Sequence, residues 1–303
     1  MLGTDIASEL AEDYVTQQVK RNKRRLVVQT GALLLVLILL AARGVALIFG
    51  PGAAVIAVAL ASFAAFAGGA QRSFVPRGSR QVTAWELPDL YPAYLTLSRR
   101  AGLSQPPPLY ISPGPPALAF TSGTGDAARI VISAGMLHSL PPREVLAVLA
   151  HELSHIRNRD LTLYAVIAAM QRLMGIVATL LVGLTVISLP MVLFGRTLLP
   201  PGSFVYLALV PAIGMLAQFA ILRRREFGAD LGAVELTGDP EALATALQRL
   251  DRTQQPFLSR MFGPTPEQTG LSALLRTHPS TAERVERLRQ LATRTPSRWI
   301  LVS

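Results

Sequence analysis

Two histidines four positions apart, His151 and His155, and the glutamate between them, Glu152, are the residues with the clearest chemical potential. The segment follows Pro141 and Pro142, which a helix tolerates in its first turn. On a helix with about 100° per residue, both imidazoles project from one face with the carboxylate beside them. Two such imidazoles can bind one metal ion, and the carboxylate can act on water at that ion. The pattern predicts a metal-binding helix with Glu152 as the catalytic base.

A catalytic zinc site normally takes a third protein ligand and leaves one position for water. No third histidine follows at the close spacing of metzincins. The next polar helix is predicted from residue 223 and carries Glu226 and, one turn later, Asp230. We predict Glu226 as the third ligand and Asp230 as an acceptor that fixes the tautomer of a ligating imidazole. Surface ion pairs with neighbouring arginines are the alternative for both.

Two further features have open roles. Asp160 follows the metal helix and can support it, but an ion pair with Arg157 or Arg159 is the favoured interpretation. The strand predicted at 117–122 either presents an exposed edge that pairs with an extended peptide or is fully paired within its sheet.

The composition is that of a membrane protein rather than a soluble enzyme. Half of the 303 residues are hydrophobic, 16% are charged and the mean hydropathy is +0.40, whereas globular chains carry about 25% charged residues. The absence of cysteine excludes a disulfide framework, a thiolate metal site and a cysteine nucleophile. The net charge is +10, but the basic residues flank the apolar runs, which favours anionic lipid over nucleic acid as their partner.

Four apolar segments, arranged as two hairpins, are long enough to cross a membrane. They are predicted at 26–48, 53–70, 173–195 and 197–222. Basic clusters precede the first segment and follow the second and fourth, so the positive-inside rule places both termini and both long polar segments in the cytoplasm. An even number of crossings then returns Glu226 to the side of His151. A buried core hairpin is the alternative for the second pair, which Pro211 and Gln218 interrupt.

The predicted fold is therefore a mostly α integral membrane protein with four transmembrane helices and a cytoplasmic α+β catalytic domain. Short strands at 108–112, 117–122 and 128–133 predict a small β-sheet in that domain, and helices are expected at 87–102 and 281–293. Five parts are predicted: an amphipathic leader at 1–25, hairpins at 26–70 and 161–222, and catalytic parts at 71–160 and 223–303.

Three segments resemble the HtpX-like membrane zinc metallopeptidases, which are relatives of the type I CAAX prenyl proteases. They are Ala150–Asp160, Arg224–Asp230, and Thr277–Pro279 with Glu283 and Arg284 beyond it. The resemblance covers most of the chain and implies a zincin-like domain with one Zn²⁺, held by the two histidines and Glu226, and Glu152 as base. It also suggests that His278 donates a hydrogen bond to the oxyanion, with a helix cap as the alternative. The chain departs from the family at Leu118–Thr121, where the family tends to have Asn-Ala-Phe-Ala.

The resemblance implies a multi-pass protein of the inner (plasma) membrane that hydrolyses membrane or misfolded proteins on the cytoplasmic side. Its expected partners are protein or peptide substrates and the lipid bilayer, with no nucleic acid. A catalytically silent adaptor that keeps the fold is one alternative, and the intact ligand set argues against it. An isoprenyl-processing peptidase is the other, for which more than four spans enclosing a chamber are expected.

Overall fold

The computed structural model describes residues 2–71, 74–114, 117–192, 194–196, 202–262 and 280–292. Within these ranges the protein is mostly helical with one small mixed sheet. The helices are α1 (Leu2–Gln71), α2 (Leu90–Arg100), α3 (Ala134–Ser139), α4 (Pro142–Arg157), α5 (Asp160–Val192), α6 (Ser203–Thr237), α7 (Pro240–Phe262) and α8 (Thr281–Ala292). The strands are β1 (Arg80–Gln81), β2 (Leu109–Ser112), β3 (Ala119–Ser122) and β4 (Arg129–Ser133).

Three of the described helices, α1, α5 and α6, are long and apolar enough to cross a membrane. Only 22% to 28% of their most apolar stretches is buried within the protein. Outward-facing side chains such as Ile187 and Phe204 are 65% and 64% exposed. A core hairpin of a soluble protein would be buried on most faces, so this alternative does not fit α5 and α6.

Helical geometry in α1 is interrupted at Gly50. Its backbone angles, φ 83° and ψ 167°, lie in a region that is essentially restricted to glycine, and Pro51 follows directly. The interruption therefore separates two helical stretches, as the sequence predicts for this position.

Contacts along α1 show where these two stretches lead. Before the interruption, Gln29 accepts a hydrogen bond from Arg224 in the C-terminal half of α6, whereas Leu47 lies beside the beginning of α6. After it, the backbone N–H of Phe74 donates to Ser122 in β3. The stretch before Gly50 thus lies along α6, and the chain reaches β3 shortly after the end of the second stretch.

The sheet has the strand order β1–β2–β4–β3. β2 and β4 are parallel, while β1 and β3 pair antiparallel with β2 and β4. Among the described strands β3 therefore lies at an edge. Ile130 and Ile132 of β4 are fully buried and pack with Leu149 and Leu153 of α4 in one core, which fixes α4 against the sheet.

Helix bounds differ from the sequence prediction around the second apolar pair. α5 already begins at Asp160, and α6 continues without a break from its apolar part through Arg223 to Thr237. No glycine or proline stands at the junction near residue 222, so the apolar segment and the polar segment that follows form one helix.

α4 and α6 approach each other closely at Gly232. A Cβ atom added there would lie 1.9 Å from the Oγ of Ser154 and 2.7 Å from its Cβ. Ser154 is fully buried, so it has little room to yield. This close approach positions the acidic side chains of α6 against the histidine face of α4.

We predict that Gly232→Ala destabilises the protein by about 1–3 kcal/mol, because the added methyl overpacks the α4–α6 contact. Gly228→Ala, one turn earlier on α6, is the matched control, since nothing lies within 4 Å of its added Cβ. The control should be neutral or slightly stabilising because alanine favours helix. Thermal unfolding in detergent measures both, and equal midpoints would show that the close approach is unimportant.

Candidate metal centre

Three buried side chains converge between α4 and α6. His151 and His155 project from α4 and Glu226 from α6, and their ligand atoms all lie within 4.8 Å of one another. The two Nε2 atoms are 3.2 Å apart. The Glu226 carboxylate oxygens lie 3.6 Å from the Nε2 of His151 and 3.8 Å from that of His155. The structure thus brings together the three predicted ligands. The second apolar pair separates Glu226 from the two histidines in the sequence.

Each imidazole is held from behind by an aspartate. The Nδ1 of His151 lies 3.0 Å from Asp230, and the Nδ1 of His155 lies 2.6 Å from Asp160. An ionised carboxylate only accepts hydrogen bonds, so each Nδ1 can donate a proton to its aspartate, and the Nε2 of a neutral imidazole then has its lone pair available for a metal ion. This carboxylate–imidazole arrangement is the usual support of a histidine metal ligand.

The spacing of these donors fits a tetrahedral zinc ion. In two neutral imidazoles, Nε2 lone pairs 3.2 Å apart repel each other unless a proton or a metal ion lies between them. Nitrogen ligands about 2.0–2.1 Å from a tetrahedral zinc are roughly 3.3 Å apart, close to the observed separation. Glu226 supplies the oxygen that completes a two-histidine, one-glutamate set.

The charge balance also favours a divalent cation. Four carboxylates are buried in and around the site: Glu152, Asp160, Glu226 and Asp230. Arg225 pairs with Asp160, and Arg284 pairs with Asp230 and Glu226. Four negative and two positive side chains leave two negative charges, and buried charges need compensation.

The same carboxylates raise the pKa of His155 above its usual value. Burial alone lowers that pKa, but the hydrogen bond with Asp160 and the charges of Glu152 and Glu226 outweigh burial. The surroundings of His155 therefore favour a positive charge, whether it comes from a proton or from a metal ion.

The prediction that Asp160 forms an ion pair with Arg157 or Arg159 was wrong. Asp160 is fully buried and contacts His155 and Arg225 instead of Arg157 or Arg159. The reason is local: Arg159 adopts a left-handed φ of 54°, which turns the chain sharply between α4 and α5. This turn places the first residue of α5 behind the imidazole, and Arg157 pairs with an acidic residue of α6, at position 235.

Arg284 of α8 is a site residue that sequence reasoning left without a role. It donates to both oxygens of Asp230, at 2.6 and 2.9 Å, and its Nη1 lies 3.3 Å from Glu226. Its pKa is raised, because Asp230, Glu226 and Glu152 outweigh the opposing effect of burial. Glu283 and Arg284 belong to a segment that resembles the family, but nothing in the sequence spacing showed that Arg284 contacts the candidate metal site.

Glu152 also has a partner that the sequence did not reveal. The hydroxyl of Thr121 in β3 donates to its Oε2 at 2.6 Å. Thr121 is part of the segment in which the chain departs from the resembled family.

The predicted His278 lies outside the described residues.

A cavity of about 460 Å³ opens in front of these side chains. One wall is formed by β3 and the residues before it, and another by apolar side chains of α7, Leu243, Leu247 and Leu250. Glu152 and the three clustered ligands line its inner end. The cavity therefore combines an apolar wall, an edge strand and a candidate metal site.

Comparison with known proteins identifies related sequences. The model of peptidase family M48 matches residues 86–292, which include α4, α6 and α8. A "Protease HtpX homolog" of Acaryochloris marina is 37% identical over 220 residues, covering 68% of this chain and 73% of the relative. Proteins of the same description from Nostoc sp. and Paraburkholderia phytofirmans are 35% and 32% identical over 236 and 232 residues. These two alignments cover 72% and 71% of this chain, and 79% and 78% of the relatives.

Proposed function

The chain belongs to peptidase family M48, and from that premise we propose that it is a membrane-embedded zinc endopeptidase. Its proposed substrates are membrane or misfolded proteins, cleaved on the cytoplasmic side. The convergence of two imidazole Nε2 atoms and the Glu226 carboxylate, with Glu152 beside them in a cavity, is the observation that carries this proposal. The donor set and the surplus of negative charge both favour a divalent metal over a protein that only keeps the fold.

The proposed zinc ligands are His151, His155 and Glu226. Asp230 and Asp160 orient the two imidazoles, and Arg284 holds Asp230 and Glu226 in place. When bound, zinc supplies Lewis acidity, which lowers the pKa of water to about 7 and polarises the scissile carbonyl.

Glu152 is the proposed general base and acid. It takes a proton from the attacking water and passes it to the leaving amine. Thr121 occupies its Oε2, so Oε1 can accept that proton. The hydroxyl of Thr121 also fixes the carboxylate at the inner end of the cavity. His278 is proposed to donate a hydrogen bond to the oxyanion, as the family resemblance suggests.

The edge of β3 is the proposed binding site for the peptide. The carbonyl of Leu118 accepts a hydrogen bond from the backbone N–H of Ser133, so Leu118 faces its neighbour across the ladder. Alternation in an antiparallel ladder then directs the main-chain groups of Ala119 and Thr121 away from β4. An extended peptide can pair with these groups as an added strand. Such binding depends on main-chain hydrogen bonds of the peptide more than on its sequence.

We further propose that the chain crosses the membrane four times as two hairpins. The interruption at Gly50, and the contacts of Gln29 and Phe74 with the catalytic part, support two crossings within α1. α5 and α6 supply the other two. Basic clusters next to the catalytic part support a cytoplasmic location of both termini and of that part, at the inner membrane. The proposed parts are those predicted from the sequence, with hairpins at 26–70 and 161–222.

A pair of glutamate variants tests the chemistry. Glu226→Ala should lose most of the bound zinc and all peptidase activity, because it removes a ligand. Glu152→Gln should keep zinc but lose turnover, because it removes only the proton acceptor. Elemental analysis and hydrolysis of a model protein in detergent measure both quantities.

The control for these variants is Glu235→Gln, which removes a carboxylate of α6 that pairs with Arg157 outside the ligand set. It should keep zinc and activity. Full zinc content and activity in Glu226→Ala would show that the ligand assignment is wrong. Zinc binding without turnover in the unmodified protein would favour the adaptor.

Reporter fusions test the proposed topology. Fusions after residues 80 and 303 should behave as cytoplasmic, because basic clusters hold these segments inside. Fusions near Gly50 and Gly195 should report the opposite side. A cytoplasmic reporter near Gly195 would contradict the second hairpin, and one near Gly50 would contradict the first.

A further inference from the structure

One arginine lies on the outer surface of a helix that crosses the membrane in the proposed arrangement. Apart from Asp160 at its first residue, Arg172 is the only charged residue of α5, and it is exposed. Ile176 and Leu180, one and two turns further along, are 58% and 43% exposed. Arg172 therefore stands among lipid-facing side chains and not inside the helix bundle.

Contacts with α6 show how deep Arg172 lies. A Cβ added at Gly214 of α6 would be 3.4 Å from the Oε1 of Gln171, the residue next to Arg172. At 1.5 Å per residue, Gly214 is about 16 Å from the start of α6 at Ser203 and about 14 Å from Arg223. The backbone of Arg172 is therefore close to the middle of the apolar layer.

No carboxylate can neutralise Arg172 at this depth. The apolar parts at 26–70 and 161–222 contain neither aspartate nor glutamate, so a second copy of the chain cannot supply one there either. Asp160, at the end of the same helix, is already paired with His155 and Arg225. Within the described ranges no ion pair involves Arg172. Among the residues that the structure describes, none supplies its counter-charge, which points to a source outside the protein.

The helix directs this side chain towards one leaflet. Cα–Cβ bonds tilt towards the N-terminus of a helix, which for α5 is the end at the metal centre. A long side chain at this position reaches in the same direction, towards the headgroups of the cytoplasmic leaflet. Phosphate is the anion of those headgroups, and a guanidinium binds phosphate through paired hydrogen bonds.

We propose that Arg172 binds the phosphate of a cytoplasmic-leaflet phospholipid, which is drawn into the membrane alongside α5. This proposal rests on the proposed membrane placement but not on the peptidase chemistry. Leu161 lies three turns before Arg172, about 20° away around the helix, and lines the catalytic cavity. The bilayer is therefore thinned on the helix face that leads to the cavity, which shortens the path of a membrane-embedded segment to the site.

A spin label beside Arg172 tests this proposal. The chain has no cysteine, so Ile176→Cys provides a unique labelling position one turn deeper on the same exposed face. In vesicles of phosphatidylcholine and phosphatidylglycerol, the label should be accessible to a water-soluble nickel chelate. Arg172→Leu should abolish this accessibility, whereas Arg172→Lys should retain most of it because lysine also reaches the headgroups.

Arg196→Leu is the matched control, since it removes an exposed arginine of the same hairpin outside the helices. It should leave the label accessible. In vesicles of an uncharged glycolipid, which lack phosphate, the difference between the unmodified residue and Arg172→Leu should vanish. Equal accessibility in phospholipid vesicles, or a difference that persists in glycolipid, would overturn the proposal. The Glu152→Gln background should give the same result, so failure of the peptidase proposal is a separate outcome.

Discussion

The arrangement around the two histidines depends on buried aspartates that hold each imidazole by its Nδ1. Asp230 and Asp160 approach His151 and His155 from opposite helices, α6 and α5. Because both Nδ1 atoms contact aspartates, both Nε2 atoms face the same small space as Glu226. Burying this many carboxylates is unfavourable without positive charge. Two arginines supply part of that charge, and a bound divalent ion would supply the rest, so metal binding and folding would stabilise each other.

This requirement makes the second apolar helix pair, α5 and α6, part of the candidate metal site. α5 begins with Asp160, and α6 carries Arg225, Glu226 and Asp230 at its far end. The ion pair between Asp160 and Arg225 joins the first residue of α5 to the C-terminal half of α6, next to His155. The close contact at Gly232 then fixes α6 against α4. A helix pair that is long and apolar enough to cross a membrane here also supplies side chains of the candidate metal centre.

Sequence patterns revealed the parts of this structure that depend on local periodicity. The phase of His151 and His155 on one helix follows from their spacing, and β2, β3 and β4 lie within the predicted strand segments. Glu226 could be predicted because the site needed a third ligand and Glu226 is the first acidic residue after the second apolar pair. The contacts of Thr121 and Arg284 could not be predicted, because they join residues far apart in the chain. The role of Asp160 depends on one left-handed residue, which no periodicity indicates.

The central claim is that the aspartates behind the imidazoles create the metal site, and the zinc affinity of Asp160→Asn tests it most directly. The substitution preserves shape but removes the charge that holds His155. Asp239→Asn is the control, since Asp239 pairs with Arg143 away from the site. Measured by chelator competition on folded protein in detergent, zinc affinity should fall about 10–100-fold in Asp160→Asn and stay unchanged in Asp239→Asn. Unchanged affinity in Asp160→Asn would contradict the claim.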